Sequence, residues 1–599
     1  MFHWFGVVQN TRGDALSGWQ VGLVEVGTQT VVPIFADENS TPIVTVSGVT
    51  NRAISDENGN YDFYVPSGTY TIQFFNAAGV FQRSQRFVAM YGADFATDSA
   101  NMDFTQSGTG AVTRDVQAKL RETVSVKDFG AVGNGVTNDA AAIQAAVDYA
   151  ETFAEGAEVH FPAGKYLVNS TVTVLKSGVS LIGDGAPATW IVNGTTNAPA
   201  VRFGDGVTTY FRNRIENLIF GQASGVTPVA GNCGLKIHKC GQFQISGVQA
   251  FNFPAALRVG IELETATQGT ISTVGVQGCT SDGIYMHNQT LDIYADKVRV
   301  DACANGFHFR DCQGIYGANM SAYGNSVNAF RFTTTGSADN NQFFFLTNCI
   351  GDTSGSHNWY FEQCSLSVFT ACWAATQLVP VTGPAADGFH LAGSDVEDLE
   401  FVGCVAVTNN RHGMNVLLGN NVTINGGTFG SNFKSSSFGG LGQRNGLAGT
   451  GSGIRIAAGS DRIAIRGAKC RHNKDWGIDI DAGATKVEVS DCELRFNIDG
   501  GSLRNNANGT AAEVTIKNCP GYNPIGFITA PTVPASNTPI TNLTGVDVMV
   551  YLVGGTLTGN VQINGHGVLQ ATNTGYFLPA GGTIRLTYSS APAWSWNGL

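Results

Sequence analysis

Tyrosine, histidine and arginine recur at one position of a short repeated unit, glycine–apolar–x–apolar. It is written as Gly234-Leu-Lys-Ile237, Gly283-Ile-Tyr-Met286, Gly306-Phe-His-Phe309, Gly388-Phe-His-Leu391, Gly413-Met-Asn-Val416, Gly453-Ile-Arg-Ile456 and Gly477-Ile-Asp-Ile480. Ala329-Phe-Arg-Phe332 and Asn358-Trp-Tyr-Phe361 fit with the glycine replaced. Side chains alternate across an extended strand, so the apolar pair points inward and x points outward. If the units stack at the ~4.8 Å spacing of paired strands, the outward column is Lys236, Arg258, Tyr285, His308, Arg331, Tyr360, His390, Asn415, Arg455 and Asp479. A second column, two residues on, holds His238, His287, Arg310, Thr333, Glu362 and Asp481. The middle of this surface is a strip of Tyr, His and Arg, which suits an anionic glycan: guanidinium groups pair with carboxylates, and aromatic faces cover sugar C–H surfaces.

Two chemistries follow. Elimination from a uronate needs a cation, a base for the acidified C–H and an acid for the leaving oxygen. Arg331 is the neutralising cation and Tyr360 and His390 share the base and acid roles. Tyr285, His287, His308 and Arg310 hold neighbouring sugars. Hydrolysis instead needs paired carboxyls. Asp479 and Asp481, at i and i+2, lie about 6.6 Å apart along a strand, within the roughly 6.5–9.5 Å of inverting glycosidases. Glu362 with Asp387 or Asp395 is another such pair. The plain alternative for every one of these residues is a solvated polar sheet. Elimination is preferred, with Arg331, Tyr360, His390 and Glu362 as the catalytic set and Asp479 and Asp481 as the alternative. No metal and no cofactor is expected.

The elements that must carry this strip follow from the repeat. The units recur mostly every 22–30 residues, with one step of 40. Self-similarity at that period marks a repeat array, and units rich in short strands with no helix of their own fit a parallel β-helix. The 599 residues carry 13% charged residues and 76 glycines, which favours short strands and tight turns. A net charge of −12 argues against a nucleic-acid partner, and no apolar run is long enough to insert in a membrane. Most of the twelve cysteines follow a short strand at one offset (Asn348-Cys349, Ala371-Cys372, Gly403-Cys404, Asp491-Cys492), as a ladder of buried thiols would.

Four regions are read. Residues 1–108 alternate polar and apolar positions, with a strand–turn–strand over 58–72. Residues 109–123 show a helical stripe of Val112, Val116 and Leu120, read as a linker or a three-chain neck. Residues 124–529 hold the repeats, after a helix at about 138–154 capped by Thr137 or Asn138 and packing Ile143, Ala146, Val147 and Ala150. Residues 530–599 are a β module whose charged residues are Asp547 and Arg585; so uncharged a module calls for cover by identical copies. Insertions at 374–387 and 426–452, the latter with Phe429, Phe433, Phe438 and Arg444, are candidate substrate loops.

The segment Val126-Lys-Asp-Phe-Gly-Ala…Asn138-Asp…Ile143-Gln…Phe161-Pro-Ala-Gly-Lys-Tyr166 resembles the start of pectate-lyase-superfamily right-handed β-helices of bacteriophage tailspikes. Residues 5–90 resemble a prealbumin-type β-sandwich, and the ending through Trp594-Ser-Trp596 is similar to small β modules that close phage tail proteins. The resemblance implies an all-β homotrimeric spike on the virion. Its N-terminal domain would attach to a phage tail or baseplate protein, and its β-helix would bind and usually degrade host-surface polysaccharide. With neither a basic nor an apolar leader at Met1–Gly6 and with reduced cysteines, assembly in the host cytoplasm is expected. A tail fibre that only binds, and a secreted bacterial polysaccharide lyase, are the alternatives.

Overall fold

In a computed structural model the described residues are 2–599 apart from 27, 44–48, 91–101, 186, 337–339, 378–385, 433–450, 498–499, 508–513, 521 and 523–525. The chain divides into two compact units, Met1–Glu122 and Thr123–Leu599. In the first, Gln20–Glu25 pairs antiparallel with Gly68–Phe75, and Phe2–Val7 with Asn60–Val65. Val21, Leu23, Phe63, Val65, Ile72 and Phe74 are buried between them. The expected strand–turn–strand is Asn60–Val65 and Gly68–Phe75. The Tyr70 hydroxyl ties its turn by donating to the Pro66 carbonyl at 2.9 Å. The helical stripe is shorter than the spacing suggests. Only Val116–Leu120 is helical, with Asp115 as its cap; Val112 precedes it, and Val112 and Leu120 are 79% and 67% exposed. One turn cannot offset the cost of helix nucleation by itself.

The second unit is a right-handed parallel β-helix, the hand that crossovers between parallel strands adopt. A helix, Ala140–Glu151, opens it and buries Ala140, Ile143, Ala146, Val147 and Ala150. Asp139 stands at its N-terminus, with its carboxylate accepting from Val132 N and Gly133 N, while the Asn138 side chain accepts from Ala140 N. The coils then stack as parallel ladders. One begins Val124–Ser125, Glu158–Phe161, Ser180–Gly183, Arg214–Glu216, and another Asn134–Asn138, Gly164–Val168, Thr189–Asn193, Ile219–Gln222. The ladder that carries the strip runs from Val172–Val174 to Gly501–Asn505. Its register pairs Lys236 with Glu262, then Tyr285, His308, Arg331, Tyr360, His390, Asn415, Arg455, Asp479 and Arg504. Arg258 is therefore not in the column. The unit on that coil is Gly260-Ile-Glu-Leu263, and Glu262 holds the place.

The glycine that begins each unit has a packing cause. A buried asparagine ladder runs down that corner: Asn358 donates to Asn409, Asn409 to Asn432, Asn432 to Asn473 and Asn473 to Asn497. A Cβ on Gly388, Gly413, Gly453 or Gly477 would lie 2.7–2.8 Å from the side-chain nitrogen of one of these asparagines, and 2.4–2.6 Å from the carbonyl of the neighbouring coil. The twelve cysteines are buried and reduced. Several donate to a carbonyl of the preceding coil, as Cys404 does to Phe369 at 3.2 Å and Cys372 to Leu346 at 3.5 Å, which makes them small apolar packers. At the end of the unit, Val548–Val553 pairs with Thr574–Leu578 and Ala593–Gly598 over a separate core of Val548, Val550, Leu578, Ile584 and Trp596.

Candidate functional site

The strip is more enclosed than a solvated sheet. Tyr285 is sandwiched between His287 (ring centroids 4.2 Å) and His308 (4.8 Å), with the Arg310 guanidinium 5.2 Å from its ring centre. Its ring is thus already stacked on neighbouring side chains, not the open face expected from the sequence. His287 is buried and bonds Glu262 at 3.0 Å. Lys236 bridges Glu262 and Glu264 at 2.9 and 2.6 Å. Burial pushes Glu262 up, but His287 and Lys236 outweigh it and hold the carboxyl at about 2. His308 contacts Thr333 Oγ1 through Nε2 at 2.8 Å and lies 3.3 Å from Asp282 through Nδ1.

A second polar centre forms around Asp387, which is fully buried. Arg411 clasps the carboxylate with two N–H groups, Nε donating to Oδ1 at 2.7 Å. His412 N donates to Oδ1 at 3.1 Å and Asn415 Nδ2 to Oδ2 at 3.0 Å. His390 Nδ1 lies 2.7 Å from Oδ2. A contact that short to an ionised carboxylate requires the proton on Nδ1. His390 Nε2 has no partner among the described residues and is not sealed from solvent. The His357 ring stacks on His390 at 3.9 Å and Tyr360 lies 5.8 Å from it. Burial pushes Asp387 up, but Arg411 and His390 hold it well below the carboxylate range.

His357 Nδ1 accepts from Asp387 N at 3.0 Å, and His412 Nδ1 from Ser452 N at 3.1 Å. Both rings are therefore neutral, and burial takes each down to about 3. An unfolded histidine protonates near 6.5, so between about pH 6.5 and 3 the unfolded chain binds protons that the folded chain does not, and stability must fall as pH falls through that window. Thermal unfolding across pH 7 to 4 should show a declining midpoint with net proton uptake; a flat profile would contradict these neutral histidines.

Arg331 stands between His308 and Tyr360 in the column. Its Nε is buried without a hydrogen-bond partner. Glu362 is exposed, two residues past Tyr360. The alternative pair is otherwise engaged. Arg504 grips Asp479 with two bonds of 2.6 Å, and Arg455 holds Asp481 at 2.5 Å. Asp479 is buried rather than projecting into solvent, because Arg504, one coil on, covers it. Both carboxylates are thus paired with arginines, although burial still pushes the Asp479 carboxyl up. Asp395 is exposed on the same long strand as His390. Most of the insertion at 374–387 and Phe433, Phe438 and Arg444 of the one at 426–452 lie outside the described residues.

Apart from Asp387, weighed as a partner for Glu362, sequence reasoning missed a third column, the residue just before each unit's first position: Asp282, Asn305, Asn328, His357, Asp387, His412 and Ser452. It lines up Asp282 with Asn305 and Asn305 with Asn328. Its polar character at fixed offset was the available signal.

Among the described residues, two clusters have the composition of a cation site, His357–Asp387–His390 and Glu262–Glu264–His287. In the first, His357 Nδ1 and both carboxylate oxygens are taken by N–H donors. In the second, the Lys236 ammonium lies where a cation would sit. Neither donor set fits a metal.

Residues 123–350 match the model of the family described as Rhamnogalacturonase A/epimerase, pectate lyase-like. The mannuronan C5-epimerase AlgE4 of Azotobacter vinelandii is 47% identical over 73 residues, 11% of this chain and 13% of that protein. The tail spike protein of Shigella phage Sf6 is 30% identical over 140 residues, 22% of each chain. The chain thus spans only a small part of the length of these curated relatives. Among solved structures, tailspike protein 3 of bacteriophage CBA120 aligns over 88% of this chain and 92% of its own, with 12% identity and a TM-score of 0.41. Residues 123–350 are accordingly similar to the pectate lyase-like family of rhamnogalacturonase A and epimerases, and they lie within a longer parallel β-helix.

Proposed function

We propose that this protein is a phage tail spike that binds an acidic host-surface polysaccharide along the strip and cleaves it by elimination at His390. The observation that carries the reading is the buried Asp387–His390 pair. With Nδ1–H given to Asp387, the lone pair of Nε2 is available to take the proton next to a uronate carboxylate. Arg331 pairs with that carboxylate. The electrons of the C–H bond form the C=C bond, the glycosidic C–O bond breaks, and the leaving oxygen takes the Tyr360 hydroxyl proton. Burial pushes that phenol up and keeps it protonated. Elimination is favoured over hydrolysis because Asp387, Asp479 and Asp481 are each committed to an arginine. C5-epimerisation begins with removal of the same kind of proton, which agrees with the likeness to mannuronan epimerases.

The reading places the protein on the virion tail, assembled in the host cytoplasm as a homotrimer. Residues 1–108, with ten acidic and four basic side chains, would attach to a tail or baseplate protein. The trimer is supported by His566–Leu569, a strand exposed along all four residues at the edge of a four-stranded sheet, since an open edge presents unpaired backbone groups that another chain can cover. Light scattering should give a mass near three chains. Incubation with purified capsule or lipopolysaccharide tests the chemistry. New ultraviolet absorbance from an unsaturated uronate is expected. Reducing ends without that absorbance would indicate a hydrolase, and binding without either product a non-enzymatic adhesin.

A further inference from the structure

We infer that Arg411 is a positioning residue for His390, acting through Asp387: its two-pronged clasp fixes the carboxylate and cancels its charge, so that His390 is held as a neutral base with Nε2 toward the groove. The inference rests on the elimination reading for its purpose, but not for its test. A carboxylate has about four lone-pair positions. Asp387 meets five N–H donors: two from Arg411, one each from His412 N and Asn415 Nδ2, and Nδ1 of His390. Its orientation is therefore fixed, and with it the tautomer and plane of the His390 ring. Without the guanidinium, a protonated His390 would be the nearest cation to the buried carboxylate among the described residues. A nearby unpaired negative charge favours the protonated imidazole, and a protonated His390 cannot act as a base.

Among the described residues, few groups face His390. From the preceding coil come His357 and Tyr360, with exposed Glu362 beyond. From the following coil come Arg411, His412 and Asn415. Asp387 lies three residues before His390. Arg455, one coil farther, is paired with Asp481. His357 and His412 are neutral, so the charge on this ring is governed by Asp387 and Arg411.

Two single substitutions should move His390 in opposite directions. In the full-length protein, the rate of His390 carbethoxylation by diethyl pyrocarbonate is followed against pH by peptide mass spectrometry, alongside the acid limb of the cleavage rate. Arg411→Gln should shift both profiles to higher pH by about one unit or more. Asp387→Asn should shift them to lower pH and reduce the plateau cleavage rate ~10²-fold or more, because the tautomer is no longer held. Arg411→Lys guards against misfolding of the glutamine variant: it keeps the charge but not the fork, so its profile should stay with the parent while its plateau falls several-fold. The inference is overturned if Arg411→Gln leaves the modification profile in place, if it moves in the same direction as Asp387→Asn, or if Arg411→Lys changes neither profile nor plateau. Should no glycan be cut by the parent protein, the modification profiles still decide the role of Arg411, and only the elimination reading falls.

Discussion

His390→Ala is expected to lower the rate of polysaccharide cleavage by about 10²–10⁴-fold, the usual worth of a positioned general base. Binding of the uncut polymer and the melting midpoint should stay close to those of the parent. Both parts follow from the geometry. The alanine removes one of five donors to Asp387 and leaves the Arg411 clasp, His412 N and Asn415 in place, so the buried carboxylate keeps its partners. The groove keeps Arg331 and Tyr360, which hold the chain. His308→Ala is the informative contrast. His308 lies three coils from His390, roughly 14 Å along the axis at ~4.8 Å per strand, and its Nε2 is engaged by Thr333. Its loss should weaken binding and leave the rate at saturation near that of the parent. Equal losses for the two histidines, read as kcat separately from KM, would show that the reaction centre is not at His390.

The contrast between these histidines shows what the spacing of the repeat could and could not reveal. Alternation within each unit and the stacking of units put Tyr285, His308, Arg331, Tyr360 and His390 in a row, because inward apolar pairs such as Phe307 and Phe309 must meet their counterparts Phe330 and Phe332 on the next coil. The helix over Ala140–Glu151 was legible for the same reason, as a periodic apolar face that caps the first coil. What spacing could not show is how neighbours divide the available hydrogen bonds. Asp479 and Asp481 have the separation of a hydrolytic pair, but arginines one coil away neutralise them. Asp387 enters from the sequence only as a possible partner for Glu362, because the group that holds it is Arg411, 24 residues on. Arg258 fits the column only while the unit at Gly260 goes unread, and the acidic Glu262 that takes its place accounts for the position of Lys236.

Gly453→Ala tests the feature that keeps the row straight. A Cβ there would lie 2.6 Å from Gly477 O, 2.7 Å from Phe429 O and 2.8 Å from Asn473 Nδ2. Two of these are backbone atoms of neighbouring strands, which cannot turn aside as a flexible side chain can. The third belongs to the asparagine that donates to Phe429 O and Asn497 Oδ1, both at 3.0 Å. Relief of the clash must spread the coils or break those buried bonds. Overpacking costs about 1–3 kcal/mol and an orphaned buried amide a further ~1–3 kcal/mol, so the expected loss is roughly 3 kcal/mol or more. Gly403→Ala separates packing from conformation. Gly403 has φ +63°, and a methyl group there would meet nothing within 4 Å, so alanine costs only the left-handed backbone, about 1–2 kcal/mol. In a solenoid each coil is held by its immediate neighbours. Damage at Gly453 should therefore release the coil of Met414–Val416, its partner in the ladder, and with it Asn415, one of the donors that fix Asp387. Gly453→Ala is thus expected to lose cleavage together with stability, whereas Gly403→Ala should lose a little stability and keep its rate. Equal melting midpoints for the two variants would show that the glycine of the unit is not required by close packing against the asparagine ladder.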